Sequence, residues 1–186
     1  HKGLYDVDQG YNQLSLLKKH NLKKTSKILE IGFGYGRSTL PLTKYLNKSG
    51  YSGTEISAKR LKMCEDWIER ENLNHKGAEL VIVSDNHLNE FTGRKFDIVW
   101  AQGVITHMPR DQLIVLLKSV RGLMSPKSSF IFNFGVSKSQ NYINHNVKDF
   151  YYRVDYMRSL CHEHGYLCEE ITDWHDYLHA GVDVSK

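Results

Sequence analysis

Cysteine is scarce in this 186-residue chain. The three present, Cys64, Cys161 and Cys168, are odd in number and lack metal-ligand spacing. They exclude a disulfide framework and read as free thiols of a reducing, cytoplasmic environment. No apolar run approaches the roughly 20 residues of a membrane-spanning helix, so no membrane partner is expected. No signal peptide is expected ahead of the fold, and no repeat, low-complexity stretch or interdomain linker interrupts it. Charge of one sign is also lacking: the net charge is only +4. It is uneven, with nine Lys/Arg against three acids in residues 1–50 and three against seven in residues 150–186. The basic stretch from Leu17 to Lys27 has no interleaved aromatic residues. It reads as a solvated helix end and loop, and nucleic acid is not the favoured partner. What is present, 40% hydrophobic and 25% charged residues, suits one globular domain with a sizeable core. Residues 1–26 are expected as an N-terminal helical cap and 27–186 as the core.

Strand-like and helix-like segments alternate, which predicts an α/β fold with helices on both faces of a parallel sheet. Tyr11, Leu14 and Leu17 mark a first helix. Strands are expected at 27–32, 51–56, 78–84, 96–102 and 128–134, then at 166–172 and 177–184. Helices are expected at about 37–47, after Ser57, after Pro109 and near 153–164. Pro41 fits the first turn of the helix that contains it. Leu61, Cys64 and Ile68 share one face of the next helix, and Leu113, Leu116, Leu117 and Val120 form a stripe on the fourth.

The segment "ILEIGFGYG", residues 28–36, carries the chemistry. An apolar strand end runs into Gly32, Phe33, Gly34, Tyr35 and Gly36, and a helix follows. Strand, glycine turn and helix start together let backbone approach a nucleotide-like ligand. A dinucleotide fingerprint needs Gly-x-Gly-x-x-Gly, and Arg37 occupies its third glycine position. Glu30, two residues before the first glycine, suits a ligand's ammonium better than a phosphate. Glu55 ends the second strand, where a carboxylate can accept both ribose hydroxyls, with Ile56 beside it. Asp85 follows the third strand and can accept from an adenine amino group, while the Asn86 N–H can donate to a ring nitrogen. Alone, Glu55 reads as a helix cap and Asp85 as a turn former. At these spacings behind such a turn, they read together as ligand groups.

These residues resemble motif I of the class I S-adenosylmethionine (SAM) methyltransferases, Glu/Asp-x-Gly-x-Gly-x-Gly after the first strand. "FDIVWAQGVITHMP", residues 96–109, resembles motif IV of that superfamily. The resemblance runs from Lys27 onward and implies a Rossmann-like, seven-stranded sheet of order 3-2-1-4-5-7-6 with the last strand antiparallel. It also implies SAM as cofactor and S-adenosylhomocysteine as product. Ala101 and Gln102 fall where the methyl group and the incoming nucleophile meet. His107 and Pro109 match a His and Pro that many small-molecule members carry before the next helix.

Absences then narrow the acceptor. No (Asp/Asn/Ser)-Pro-Pro-(Tyr/Phe) follows strand four, as base-amine methylation commonly requires. No nucleophilic cysteine lies there for cytosine C5 chemistry. No acid lies there to hold Mg²⁺. A metal-independent transfer to an O, N or C nucleophile of a small molecule is expected. An RNA methyltransferase and a non-catalytic SAM-binding regulatory protein are the alternatives. His107 is the candidate base, with a packing role at the helix start as the other reading. Tyr11, His107, Tyr142 and Tyr151 are candidate acceptor contacts, the last two in a polar, aromatic segment over 135–152. The pair His175 and His179 is spaced like a zinc-protease helix but lacks its Glu, so no metal site is expected.

Overall fold

The computed structural model describes residues 7–145, 148–172 and 179–185. Along the chain lie α1 (Val7–Lys19), β1 (Ile28–Ile31), α2 (Thr39–Tyr45), β2 (Tyr51–Glu55), α3 (Ala58–Arg70), β3 (Glu79–Ile82) and β4 (Phe96–Ala101). A 3₁₀ turn (Ile105–His107) leads to α4 (Arg110–Gly122), β5 (Met124–Val136), β6 (Tyr142–Asn144), β7 (Asp149–Tyr152), α5 (Val154–Glu163), β8 (Leu167–Ile171) and β9 (His179–Ser185). The strands follow the order β3-β2-β1-β4-β5-β7-β6, with β9 paired to β5 and β8 to β9. The sixth and seventh expected strands are β8 and β9. β9 runs antiparallel to β5 and to β8, which gives the expected order and the expected reversed last strand. The polar, aromatic segment over 135–152 contains the β6–β7 hairpin, two strands that the sequence pattern does not predict. Its strands pair antiparallel, and β7 extends the sheet in parallel from the end of β5.

Two compact units divide the described chain. The first runs to Asp85 and takes in Phe96–Ile98. Here β1, β2 and β3 are parallel, in a register that sets Ile31 beside Thr54 and Glu55 beside Ile82. β1 and β2 are buried along their whole length, whereas β3 is partly exposed. Phe33, Leu40, Cys64, Ile68 and Leu73 form a core cluster onto which Leu61 and Trp67 pack. Ser57 caps α3 by accepting the Arg60 N–H, satisfying one of its free donors.

α1 departs from expectation on one point. Leu14 and Leu17 are buried, but Tyr11 is exposed. Gly10 and Gln13 complete the buried stripe instead. A Cβ on Gly10 would stand 2.1 Å from the Arg37 carbonyl oxygen, so only glycine lets the helix lie on that backbone. This close approach explains a residue that otherwise costs a helix interior about 1 kcal/mol. The Arg37 guanidinium also donates to Gln9 Oε1 at 2.5 Å, tying α1 to the chain just after the glycine turn.

The second unit takes residues 86–95 and 99–186. Pro109 precedes α4 at its N-cap, and Leu113, Leu116, Leu117 and Val120 are all buried as the stripe predicts. β5 is longer than expected and buries Phe130, Ile131, Phe132 and Phe134, on both faces as a central strand should. Tyr166 closes the unit by donating to the Leu117 carbonyl at 2.6 Å. No described helix is long and apolar enough to cross a membrane.

Candidate functional site

The turn after β1 is shaped by three glycines in the left-handed region: Gly32 at φ 67°, Gly34 at 58° and Gly36 at 86°. They do different things. A Cβ on Gly36 would come within 2.7 Å of Cys64 Sγ, so that glycine lets the turn settle on α3. A Cβ on Gly34 would meet nothing within 4 Å, so that glycine faces open space. The floor under the space is held by β2. The Gly34 N–H donates to Glu55 Oε2 at 2.9 Å. Glu55 Oε1 accepts the N–H groups of Ile56 and Ser57 at 3.0 and 3.1 Å, with Arg60 at 3.5 Å. Glu55 ends the second strand as expected, but it is only 3% exposed and spends its carboxylate on the backbone N–H groups of Gly34, Ile56 and Ser57. Ile56 beside it is 74% exposed, an uncovered apolar side chain next to the carboxylate. Asp85 is exposed at the end of the first unit.

Two expected contacts turn inward. Glu30 is 3% exposed and does not reach open space. Its carboxylate accepts the hydroxyls of Ser38, of Thr39 at 3.3 Å and of Tyr51 at 2.5 Å. The expected ammonium contact is therefore replaced by an anchor that ties β1 to the start of α2 and to β2. Phe33 likewise contributes backbone only. Its ring lies in the core cluster, and its N–H donates to the Thr54 carbonyl at 3.0 Å. Gly53 makes room for this, since a Cβ there would fall 2.9 Å from the Phe33 ring.

Burial pushes the Glu30 carboxyl above its ordinary value, and the three hydroxyls only partly offset it. A carboxyl raised on folding binds its proton more tightly in the folded chain. Its stability contribution is therefore full below the unfolded value of 4.5 and declines as pH rises through the folded value. The expected outcome is that Glu30→Gln flattens the fall in melting temperature on raising pH above that point. Thermal melts of both proteins across pH 4–8 check it, and parallel pH slopes would refute it.

In the second unit, Ala101 is fully buried and Gln102 half-buried. Gly103 turns there at φ 64°, and its N–H donates to Asn133 Oδ1 at 2.7 Å. Asn133 is buried in the middle of β5 and was not among the expected site residues. An Asn inside the apolar run "FIFNF" is the signal that marks it. Asn86 is half-buried. His107 ends the 3₁₀ turn with its side chain 63% exposed. Its Nδ1 lies 2.8 Å from Asp149 Oδ1, a close contact without the alignment of a hydrogen bond. Asp149 opens β7, so the hairpin brings it to His107 across 42 residues of sequence. Tyr142 and Tyr151 are register partners whose rings stack at 4.6 Å with 2° between their planes. The structure thus gathers Gly34, Glu55 and Ile56 in one unit, and His107, Asp149 and Tyr151 in the other. Among the described residues, no three His, Cys, Asp or Glu side chains group to hold a metal ion. His175 lies outside the described residues, and only the backbone of His179 is described.

Known proteins share this architecture. A probable methyltransferase, ltbC, from Aspergillus luteorubrus is 27% identical over 109 residues, which is 56% of this chain and 38% of the relative. The chain thus spans well under half the length of that curated relative. Among solved structures, the PH0226 protein from Pyrococcus horikoshii OT3 is 18% identical with a TM-score of 0.73, covering 100% of this chain and 95% of that one. Magnesium protoporphyrin IX methyltransferase (ChlM) from Synechocystis PCC 6803, with bound SAM, is 14% identical with a TM-score of 0.74, covering 97% of this chain and 80% of that one. At such identities these likenesses concern the fold. Residues 28–127, from β1 through α4, match the family described as "Methyltransferase domain", and the chain belongs to that family.

Proposed function

We propose that this domain binds SAM over the glycine turn and transfers its methyl group to an oxygen, nitrogen or carbon nucleophile of a small molecule, without a metal. The observation that carries this reading is the open space at Gly34, whose N–H is held by the Glu55 carboxylate, with the exposed Ile56 next to Glu55 in the chain. The donor set fits the group. Glu55 can exchange backbone partners for two ribose hydroxyls, Ile56 offers an apolar surface to a purine, and Asp85 can accept from its exocyclic amine. The backbone at Gly32 and Gly34 leaves room for the amino-acid end. Bound there, SAM would supply a methyl group already attached to a good leaving group. The chain's own task is then alignment and, for some acceptors, proton removal. Ala101 and Gln102 are assigned to the transfer point and His107 to the proton. Tyr142 and Tyr151 are assigned to the acceptor side, and Tyr11 is kept as a further candidate there. Proteins of this fold include an O-methyltransferase and an N-methyltransferase, which supports leaving the acceptor atom open at this level. A cytoplasmic location is part of the proposal, resting on the free thiols of Cys64, Cys161 and Cys168. Incubation with SAM and pooled acceptors, with S-adenosylhomocysteine as readout, tests it. Binding without any turnover would favour the non-catalytic alternative.

Replacing Glu55 has two expected effects. Glu55→Ala should weaken SAM by roughly 1.5–3 kcal/mol, through loss of charge-assisted hydrogen bonds. It should also lower stability by about 1–3 kcal/mol, because the Gly34, Ile56 and Ser57 N–H groups lose their acceptor. Calorimetry and denaturant unfolding separate the two. Unchanged SAM affinity with lowered stability would make Glu55 purely structural. Chelation is expected to do nothing: residues 101 and 102 are Ala and Gln, so no acid follows β4 to hold Mg²⁺. Loss of turnover in EDTA that Mg²⁺ restores would contradict that assignment.

A further inference from the structure

The β6–β7 hairpin is clamped to the turn that bears His107 at three places. The first is the contact of His107 Nδ1 with Asp149 Oδ1 at 2.8 Å. The second is the buried Tyr152 hydroxyl, which donates to the Met108 carbonyl at 2.7 Å, one residue beyond His107. The third is Gly135 on β5, where a Cβ would fall 2.9 Å from the Tyr151 ring, 3.0 Å from the Phe150 carbonyl oxygen and 3.2 Å from Thr106 Cγ2. Only glycine lets the hairpin approach that closely. Asp149 and Tyr151 are two residues apart on one strand, so they point to the same face, as does Tyr142 opposite Tyr151. One face of the hairpin therefore carries the carboxylate that touches His107 and a pair of stacked rings, of which Tyr142 is 44% exposed. All of these groups lie within the second unit.

Resting on the proposed methyl transfer, we infer that Asp149 positions His107 as the base for a phenolic hydroxyl, and that the Tyr142–Tyr151 pair is the surface on which the phenol ring stacks. With Nδ1 lying 2.8 Å from Asp149 Oδ1, the other ring nitrogen, Nε2, is left to take a proton. The chemistry selects the acceptor class. A carboxylate is already ionised and needs no base; an alkyl amine, mostly ammonium at neutral pH, also has a proton to lose but lacks the flat ring that the Tyr142–Tyr151 pair suits. A phenol is mostly protonated at neutral pH and gains from a base, and its flat ring suits an exposed aromatic platform. In the balanced step, the phenolic proton passes to His107 Nε2 and the oxygen bonds to the methyl carbon. The C–S bond breaks with its electron pair staying on sulfur, which gives the aryl methyl ether and S-adenosylhomocysteine. The imidazolium then loses its proton to water. Asp149 stabilises that imidazolium. The other ionisable groups on the packed elements are Tyr151 and Tyr152 on β7, and Arg110 and Asp111 at the start of α4. Arg110 is already turned to the Tyr156 hydroxyl at 2.7 Å. β5 contributes no ionisable side chain between Ser128 and Val136.

The test uses the whole chain, SAM, and simple phenols of stepped acidity from phenol to 4-nitrophenol, beside amine and carboxylate probes. Phenols are expected to be methylated in preference to the other probes. Asp149→Asn should lower kcat on phenol by roughly 10- to 1000-fold, and His107→Gln by at least as much. Both defects should shrink as the phenol becomes more acidic and needs less help. SAM affinity and melting temperature serve as controls for folding. Methylation of amines or carboxylates with phenols inert would overturn the acceptor class. An equal loss on every phenol, whatever its acidity, would overturn the positioning role. If wild-type protein fails to bind SAM at all, the proposed function falls and this inference with it.

Discussion

Gly34→Val is expected to remove SAM binding while leaving the protein folded. The residue sits at φ 58°, which a β-branched side chain adopts only under strain. That strain costs roughly 1–2 kcal/mol of stability, a tolerable loss for a domain of ordinary stability. A packing clash is not expected, because a Cβ there meets no protein atom within 4 Å. The same emptiness makes the substitution severe for the cofactor, whose place the two methyl groups would occupy. Affinity should fall by at least about 100-fold, or roughly 2.7 kcal/mol. Circular dichroism melts and SAM calorimetry on the purified variant check both halves. Near-normal SAM affinity would mean that the space over Gly34 is not the cofactor site. A variant of Gly36 would be less informative, since a Cβ there strikes Cys64 and binding would fall with the fold.

His107→Ala is expected to separate catalysis from cofactor binding. The loss should appear in kcat, by roughly 10² to 10⁴, the usual contribution of a positioned general base. SAM affinity should stay within a few-fold, because the proposed cofactor contacts lie at the glycine turn, Glu55 and Asp85. Removing the exposed ring uncovers the buried Asp149 Oδ1, which has no hydrogen-bond partner to lose and gains access to water, so stability should change little. An unchanged kcat would make His107 a pocket wall. A collapse of SAM affinity with kcat preserved would assign it to the cofactor.

What could be read from the residues alone was what depends on local chemistry. The glycine turn, the Ser57 cap, Pro109 before α4 and the stripe from Leu113 to Val120 all follow from short-range rules. The order of the sheet followed from the resemblance, and β8 and β9 take the places it implies. The direction in which a side chain faces was harder to read. Glu30 and Phe33 flank the same turn, yet both point inward, because Tyr51 offers Glu30 a hydroxyl and Gly53 leaves space for the Phe33 ring. Neither partner is adjacent in sequence. Asp149 was invisible for the same reason, since only the pairing of β6, β7 and β5 brings it to His107. Gly10 and Asn133 were readable exceptions: a glycine inside a helix and an amide inside an apolar strand each break a local rule that tertiary contacts repair.

The central claim is that the glycine turn and Glu55 form a SAM site. Titration calorimetry of the wild-type chain with SAM, S-adenosylhomocysteine and NAD in parallel tests it most directly. The account predicts that SAM and S-adenosylhomocysteine bind in the low micromolar range, roughly −7 to −8 kcal/mol, with no heat from NAD. Binding of NAD without binding of SAM would contradict it.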